Sequence, residues 1–247
     1  MIHFDSFSVG SALRWFTGGL AGLLLFAGIG GGAVAQTSSQ VVDNFEQYDL
    51  GQPPTQWVRV DSRDDVRPAA QALEPGERFD VLEEEGNQFV RLYTNNEYIR
   101  FSQRNGKEFD WDLRDHPRLQ WRWRALTLPK GASEKGENDT GGAVYVTFGT
   151  DWLGRPKSIK YTYSSTLPVG TVVSFGPLNV IVVNSGREPG MGTWKTETRN
   201  VIDDYKQIFG DAPPNRPVSI TISGDSDSTG DESKVDIDDI MLLPAQE

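Results

Sequence analysis

The chain has no cysteine, which excludes a disulfide scaffold, a thiolate metal site and a cysteine nucleophile. Histidine is nearly missing too. Only His3 and His116 occur, too few for a multi-histidine metal centre. Positive charge is short: Lys and Arg number 24 against 35 Asp and Glu, a net charge of -11 that repels nucleic acid and anionic membrane surfaces. No internal repeat is present, and no glycine-rich phosphate loop leads from a strand into a helix. What remains is ample for a core, because 37% of the 247 residues are hydrophobic and 11% aromatic.

The single long apolar run lies near the start. Trp15 to Gln40 carries no charge, its centre is Leu20 to Ile29, and Arg14 precedes it. Ala33-Val34-Ala35 then offers the small-x-small pattern that a signal peptidase accepts, so cleavage is expected before Gln36. The competing reading is an uncleaved inner-membrane anchor facing outward, since the run approaches the ~20 residues that span a bilayer. Either way the rest of the chain is expected outside the cytoplasm, periplasmic or secreted. Residues 1–35 are thus read as signal peptide, 36–40 as linker and 41–244 as one domain.

Short period-two runs separated by Gly, Pro, Asn and Asp clusters fill that domain. Strands are expected over 89–93, 98–102, 119–125, 143–148, 158–163, 179–183, 194–199, 218–223 and 234–243. Such spacing predicts an all-β, two-sheet antiparallel β-sandwich. In residues 119–125, alternation sets Leu119, Trp121, Trp123 and Ala125 on the core face and Gln120, Arg122 and Arg124 on the other. Residues 130–142 read as a long mobile loop. One helix is expected over 200–209: Asn200 caps it, Asp203 and Asp204 suit its first turn, and Gly210 stops it before Pro213-Pro214.

Three groups of residues could carry chemistry. Arg122, Arg124, Lys160, Tyr161, Glu197 and Arg199 mix charge with aromatic surface, as a sugar site does, while the same residues would also make an ion-pair network with Asp204. Trp152, between Asp151 and Gly154, is the candidate exposed platform. Asp225, Asp227 and Thr229, followed by Gly230, repeat the first half of a calcium loop and would equally form an acidic turn that bonds its own backbone. Asp43, Glu46 and Asp239 (or Asp238) on the terminal strands form a second acidic grouping for calcium. Calcium is the only cofactor expected.

Leu119-Gln-Trp-Arg-Trp-Arg124, Asn138-Asp139 before Ala143-Val-Tyr-Val-Thr-Phe148, Ile159-Lys-Tyr161, Trp194 to Val201, Asp204-Tyr205, Phe209-Gly210 with Pro213-Pro214, and Asp225 to Gly230 follow one another in a fixed order. In that order they resemble an exported bacterial family known as domain of unknown function 3047, in which an acidic pair stands where this chain has Asn138-Asp139. Val42-Asp-Asn-Phe-Glu46 and Val235-Asp-Ile-Asp-Asp-Ile240 resemble the two ends of jelly-roll carbohydrate-binding modules. That second resemblance implies a galactose-binding-like jelly roll whose terminal Glu and Asp hold a structural calcium. The expected function is therefore a non-catalytic, exported sandwich that binds a glycan or another small polar ligand, with no nucleic acid partner and no membrane contact after cleavage. Two alternatives stand beside it: a carboxylate-dependent polysaccharide hydrolase, and an envelope interaction or assembly factor like the jelly-roll assembly factors of respiratory complexes.

Overall fold

Apolar side chains at every second position make the strands, and the computed structural model describes residues 38–246 except 63, 137 and 138. The expected signal peptide lies outside the described residues. The early strands are β1 (Gln40–Asp43), β2 (Val58–Val60), β3 (Val66–Pro68), β4 (Glu77–Glu84), β5 (Asn87–Asn95), β6 (Tyr98–Arg104) and β7 (Arg118–Thr127). The later ones are β8 (Thr140–Thr150), β9 (Pro156–Ser164), β10 (Val172–Phe175), β11 (Leu178–Ser185), β12 (Lys195–Asn200), β13 (Ser219–Asp225) and β14 (Glu232–Leu243). One turn of helix, α1 (Ala69–Ala72), and one longer helix, α2 (Val201–Phe209), complete the elements.

Two sheets result. The six-stranded sheet runs β12-β7-β14-β5-β4, with β1 also on β14; the eight-stranded sheet runs β10-β11-β9-β8-β13-β6-β2-β3. β14 lies between β5 and β7 in one sheet and β13 between β6 and β8 in the other, the wrapping of a jelly roll. One pair departs from the antiparallel expectation. β11 runs parallel to β9, with Val180 beside Lys160 and Val182 beside Thr162, because residues 165–177, including the edge strand β10, carry the chain back to the start of β9.

The core lies between the sheets. Leu119, Trp121, Trp123 and Ala125 of β7 are all fully buried, as their alternation predicts, and meet Tyr161 and Tyr163 of β9. Gly142 of β8 is required there, since a Cβ would stand 2.9 Å from a Val235 methyl. Helix α2 is capped by Asn200, whose side chain accepts from the backbone N–H of Ile202 and Asp203, and ends at Gly210 in the left-handed region at φ 78°. It packs on β7 and β12 and sets the Tyr205 ring 4.6 Å from that of Phe148.

The stretch 130–142 is more anchored than its composition implies. Buried Glu134 accepts from Thr140 at 3.2 Å and from Ser164 at 2.6 Å, and Ala132 is also buried. Residues 140–142 already belong to β8. Polar residues here stitch a loop to two strand ends, which residue type alone does not reveal.

Candidate ligand-binding face

Side chains that point away from the core divide the molecule into two outer faces. On the six-stranded sheet, Arg124 and Arg91 flank Asp236 from the neighbouring strands β7 and β5. Arg91 donates to both carboxylate oxygens at 2.6 and 2.8 Å, and Arg124 donates at 2.8 Å while reaching Glu84 at 2.7 Å. One row below, Arg122 approaches Asp238 at 3.3 Å and Asp239 at 3.4 Å, and Asn87 donates to Asp238 at 3.0 Å. The Trp194 ring lies over both Arg122 and Arg124, 4.9 and 4.8 Å from their guanidinium carbons. Burial pushes the Asp238 carboxyl up to about 6, with Asp239 adding to the rise and Asn87 opposing it. Arg122 and Arg124, expected to hold ligand, are spent on neighbours within a cross-strand ion ladder.

The outer face of the eight-stranded sheet is different. Ser158, Lys160 and Thr162 of β9 stand opposite Thr147, Tyr145 and Ala143 of β8, which stand opposite Ser219, Thr221 and Ser223 of β13. Two pairs of hydroxyls on adjacent strands bond: Thr147 with Ser158 at 3.0 Å, and Ser102 of β6 with Thr221 at 2.7 Å. The third row cannot do so. Thr162 and Ser223 are separated by the strand carrying Ala143, a gap of roughly two strand spacings, ~9–10 Å, which no hydroxyl spans. Both hydroxyls are buried and have no hydrogen-bond partner among the described residues, and neither has Asp225 Oδ1, two positions further along β13. The Lys160 ammonium lies 5.4 Å from the centre of the Tyr145 ring in the adjoining row. Arg100 and Tyr98 of β6, opposite Ser223 and Asp225, form the exposed rim.

One end of this face is acidic. Carboxylate oxygens of Asp139, Asp225 and Asp227 all lie within 4.8 Å of one another, the one such group of acids among the described residues. Asp225 is pushed up to about 7, chiefly by burial; Lys160 opposes the rise, while Asp227 and Asp139 add to it. Asp139 goes the other way. Burial would raise it, but donation from the Thr229 hydroxyl and from the backbone of Ser228 and Thr229, at 2.5 to 3.0 Å, holds it below the usual carboxylate range. Thr229 therefore serves Asp139 through its hydroxyl, and Asp139 takes the third place in the cluster beside Asp225 and Asp227.

The other expected residues are dispersed. Tyr161 faces the core and donates to Asp204 at 2.9 Å, and Arg199 clamps the same carboxylate at 2.5 and 2.9 Å. A side chain adjacent to Lys160 on a strand must point to the opposite face, so Tyr161 and Lys160 cannot share a ligand. Glu197 accepts from Asn184 at 2.9 Å on the inner side of β12. Trp152 stands 88% exposed at the tip between β8 and β9. The terminal acids do not converge: buried Asp43 accepts from Phe45 N–H, Tyr48, Trp57 and Gln103 at 2.7 to 2.9 Å, Glu46 accepts from Gln88 N–H at 2.9 Å, and Asp239 faces Arg122. Neutral donors thus surround the Asp43 carboxylate. Tyr145, Thr162, Ser223 and Asp139 were missed by sequence reasoning, although Ser219-x-Thr221-x-Ser223-x-Asp225 carries the period-two polar signal that would have found part of the face.

The strand pairing defines a jelly-roll β-sandwich in which cross-strand ion pairs lace one outer face, with Arg122 Nε there left without a partner, and buried hydroxyls on the other face lack partners among the described residues. By its sequence the chain belongs to the family described as protein of unknown function (DUF3047), whose profile matches residues 68–241. Among curated proteins, none matches the chain. Solved structures similar to it include a family 11 carbohydrate-binding module of the cellulosomal cellulase Lic26A-Cel5E of Clostridium thermocellum, at 11% identity and TM-score 0.40, covering 85% of this chain and 97% of that one. A family 30 carbohydrate-binding module of Clostridium thermocellum is similar at 11% identity and TM-score 0.40, covering 81% and 96%. A metagenome-derived glycoside hydrolase family 12 endoglucanase is similar at 14% identity and TM-score 0.41, covering 85% and 98%. The architecture here is read from the strand register, and these likenesses carry no part of it.

Proposed function

We propose that this chain is an exported, non-catalytic glycan-binding sandwich whose ligand lies across the outer face of the eight-stranded sheet. The observation that carries the reading is the unpaired row: Thr162 Oγ1, Ser223 Oγ and Asp225 Oδ1, buried and without partners among the described residues. Buried polar groups left unpaired cost free energy, so a ligand that displaces what closes the row over, where Thr162 is fully buried and Ser223 4% exposed, gains what the fold forgoes. Sugars suit them well. Hydroxyls of the ligand both donate and accept, as Thr162 and Ser223 require, and the Tyr145 ring offers a flat face for the apolar side of a pyranose. The acidic group of Asp139, Asp225 and Asp227 is proposed as the calcium position, because hard oxygen ligands suit that cation.

A glycan array followed by calorimetry tests this. Ser223→Ala and Thr162→Val are each expected to weaken binding by roughly threefold to tenfold, the worth of one net hydrogen bond of ~0.5–1.5 kcal/mol. A blank array, or variants that bind as the parent does, overturns the reading. The raised Asp225, with two carboxylates within 4.8 Å, favours one second reading, a carboxylate-dependent hydrolase. Sugar release that disappears in Asp225→Asn would decide for it.

A further inference from the structure

Strands β12, β4 and β1 in one sheet and β10 and β3 in the other each have a side with no neighbouring strand. Such a side presents N–H and C=O groups that a further strand can take, and proteins normally blunt it. Four of these strands are blunted. β12 sets Lys195, Glu197 and Arg199 opposite the core-facing Trp123, Trp121 and Leu119, so its charges point inward. The far side of β4 is already bonded, through Gly51 N–H to the Val81 carbonyl at 2.8 Å and Val81 N–H to the Gln52 carbonyl at 3.0 Å. A bulge between Val41 and Asp43 breaks β1, and β3 is three residues that end in Arg67 and Pro68.

β10 has none of these guards. Val172-Val173-Ser174-Phe175 contains no charge, proline or bulge, and Val172 and Phe175 are 45% and 44% exposed. The Thr171 carbonyl accepts from Val182 N–H at 2.9 Å, so alternation gives Val173 and Phe175 to β11 and turns the N–H and C=O of Val172 and Ser174 outward. No described residue takes them. The chain carries a net charge of -11, yet no charged residue occurs between Lys160 and Arg187. A second, equally acidic copy therefore meets no like charge along this stretch. Pro168 on one side and the Gly176-Pro177 turn on the other close both ends of β10, which suits a strand equally short.

We propose that β10 pairs antiparallel with β10 of a second copy of this chain, about a two-fold axis at Val173, so that the eight-stranded sheets of the two copies become one. A two-fold axis perpendicular to a sheet keeps each side chain on its own face, so only residues of equal parity stand opposite one another. About Val173, that requirement sets Val172 of each copy opposite Ser174 of the other, and each such pair exchanges both its N–H···O bonds. Val173 faces itself across the axis, in the closer, non-hydrogen-bonded kind of pair. So short an edge makes a small interface, with dissociation in the roughly micromolar range. The pairing is independent of the glycan reading.

Sedimentation of the full chain over micromolar concentrations tests the proposal, and the expected result is a reversible monomer–dimer equilibrium. Val172→Pro removes an outward N–H at the first residue of an edge strand, where proline is tolerated, and Val173→Lys sets like charges opposite each other. Each should weaken the dimer by roughly tenfold or more. An equimolar mixture of Val173→Lys and Val173→Glu should recover it, which a variant that had merely lost its fold would not. Because the chain has no cysteine, Val173→Cys adds one thiol per copy at the separation a disulfide spans. It should oxidise to a covalent dimer, whereas Trp152→Cys, at an 88% exposed position, should stay largely monomeric. A parent that remains monomeric overturns the proposal. So does a dimer indifferent to Val172→Pro and Val173→Lys, or a Val173→Cys that cross-links no faster than Trp152→Cys.

Discussion

The two outer faces of this sandwich are built from the same period-two alternation and end in opposite states. On the six-stranded sheet the outward residues are long and charged, and Arg91, Arg122 and Arg124 reach across to the carboxylates of the next strand. On the eight-stranded sheet many are short hydroxyls, which reach no further than an adjacent strand; one alanine in the middle strand leaves Thr162 and Ser223 apart. Side-chain length thus separates a face of cross-strand ion pairs from one on which the Thr162 and Ser223 hydroxyls find no partner among the described residues. Proteins keep unsatisfied groups at functional positions at some expense of stability.

The largest effect should come from neither face but from the core that both share. Trp121→Ala is expected to lower stability by about 3–5 kcal/mol, the usual cost of deleting a large buried aromatic. Denaturant titration checks it, and a loss below that of the exposed Trp152→Ala would reverse the assignment of faces. Next comes the self-paired face, where Asp236→Ala should cost about 2–3 kcal/mol by leaving two guanidinium groups without their carboxylate, with the partial exposure of both arginines reducing the full penalty of a broken buried pair. An unchanged midpoint would show the ladder to be ornamental.

On the outer face of the eight-stranded sheet the same comparison becomes a pH dependence. Asp225 sits at about 7 in the folded protein, above its unfolded value near 3.9, so the native state holds the extra proton between the two. Stability is therefore fully present below pH ~4 for this group and declines as pH rises through 7. Between pH 5 and 8 the loss should be on the order of 2 kcal/mol, and Asp225→Asn should flatten it. Asp238, at about 6, declines in the same sense over a lower window. Thermal midpoints that rise over that interval would contradict both.

Calcium gives a smaller shift. At ten times its dissociation constant it should add about 1.4 kcal/mol to the folded state. Asp227→Asn should abolish the gain, whereas Glu46→Gln should not, because Asp43, Glu46 and Asp239 are occupied by separate partners. A midpoint indifferent to millimolar calcium in metal-stripped protein removes the cation from the proposal.

The smallest effects sharpen the comparison most. Ser223→Ala removes a hydroxyl with no partner among the described residues, so stability should move by less than ~0.5 kcal/mol while ligand affinity falls. Trp152→Ala, at 88% exposure, should be equally quiet in unfolding.

Much of this architecture is legible in the sequence alone. Alternation identified nine of the strands, the buried Leu119-Trp121-Trp123-Ala125 face and the Asn200-capped helix, because each is decided by residues within a few positions of one another. β4 escaped notice since charges fill its outer positions, leaving Phe79 and Val81 as a thin apolar signal, and β10 is only four residues long. The parallel pairing of β11 with β9 was not visible either. Nor was the meeting of Asp139 with Asp225 and Asp227, which brings residues far apart in the chain to within 4.8 Å. Period-two patterning tells which way a side chain points, and that is a local property. Which neighbour it then faces depends on strand order and register, and these arise only when the whole sheet assembles. The sequence alone therefore determined the sandwich and its core. The tertiary structure decided that Arg122 and Arg124 are consumed by carboxylates, and that Lys160, Thr162, Ser223 and Asp225 share one unfinished face.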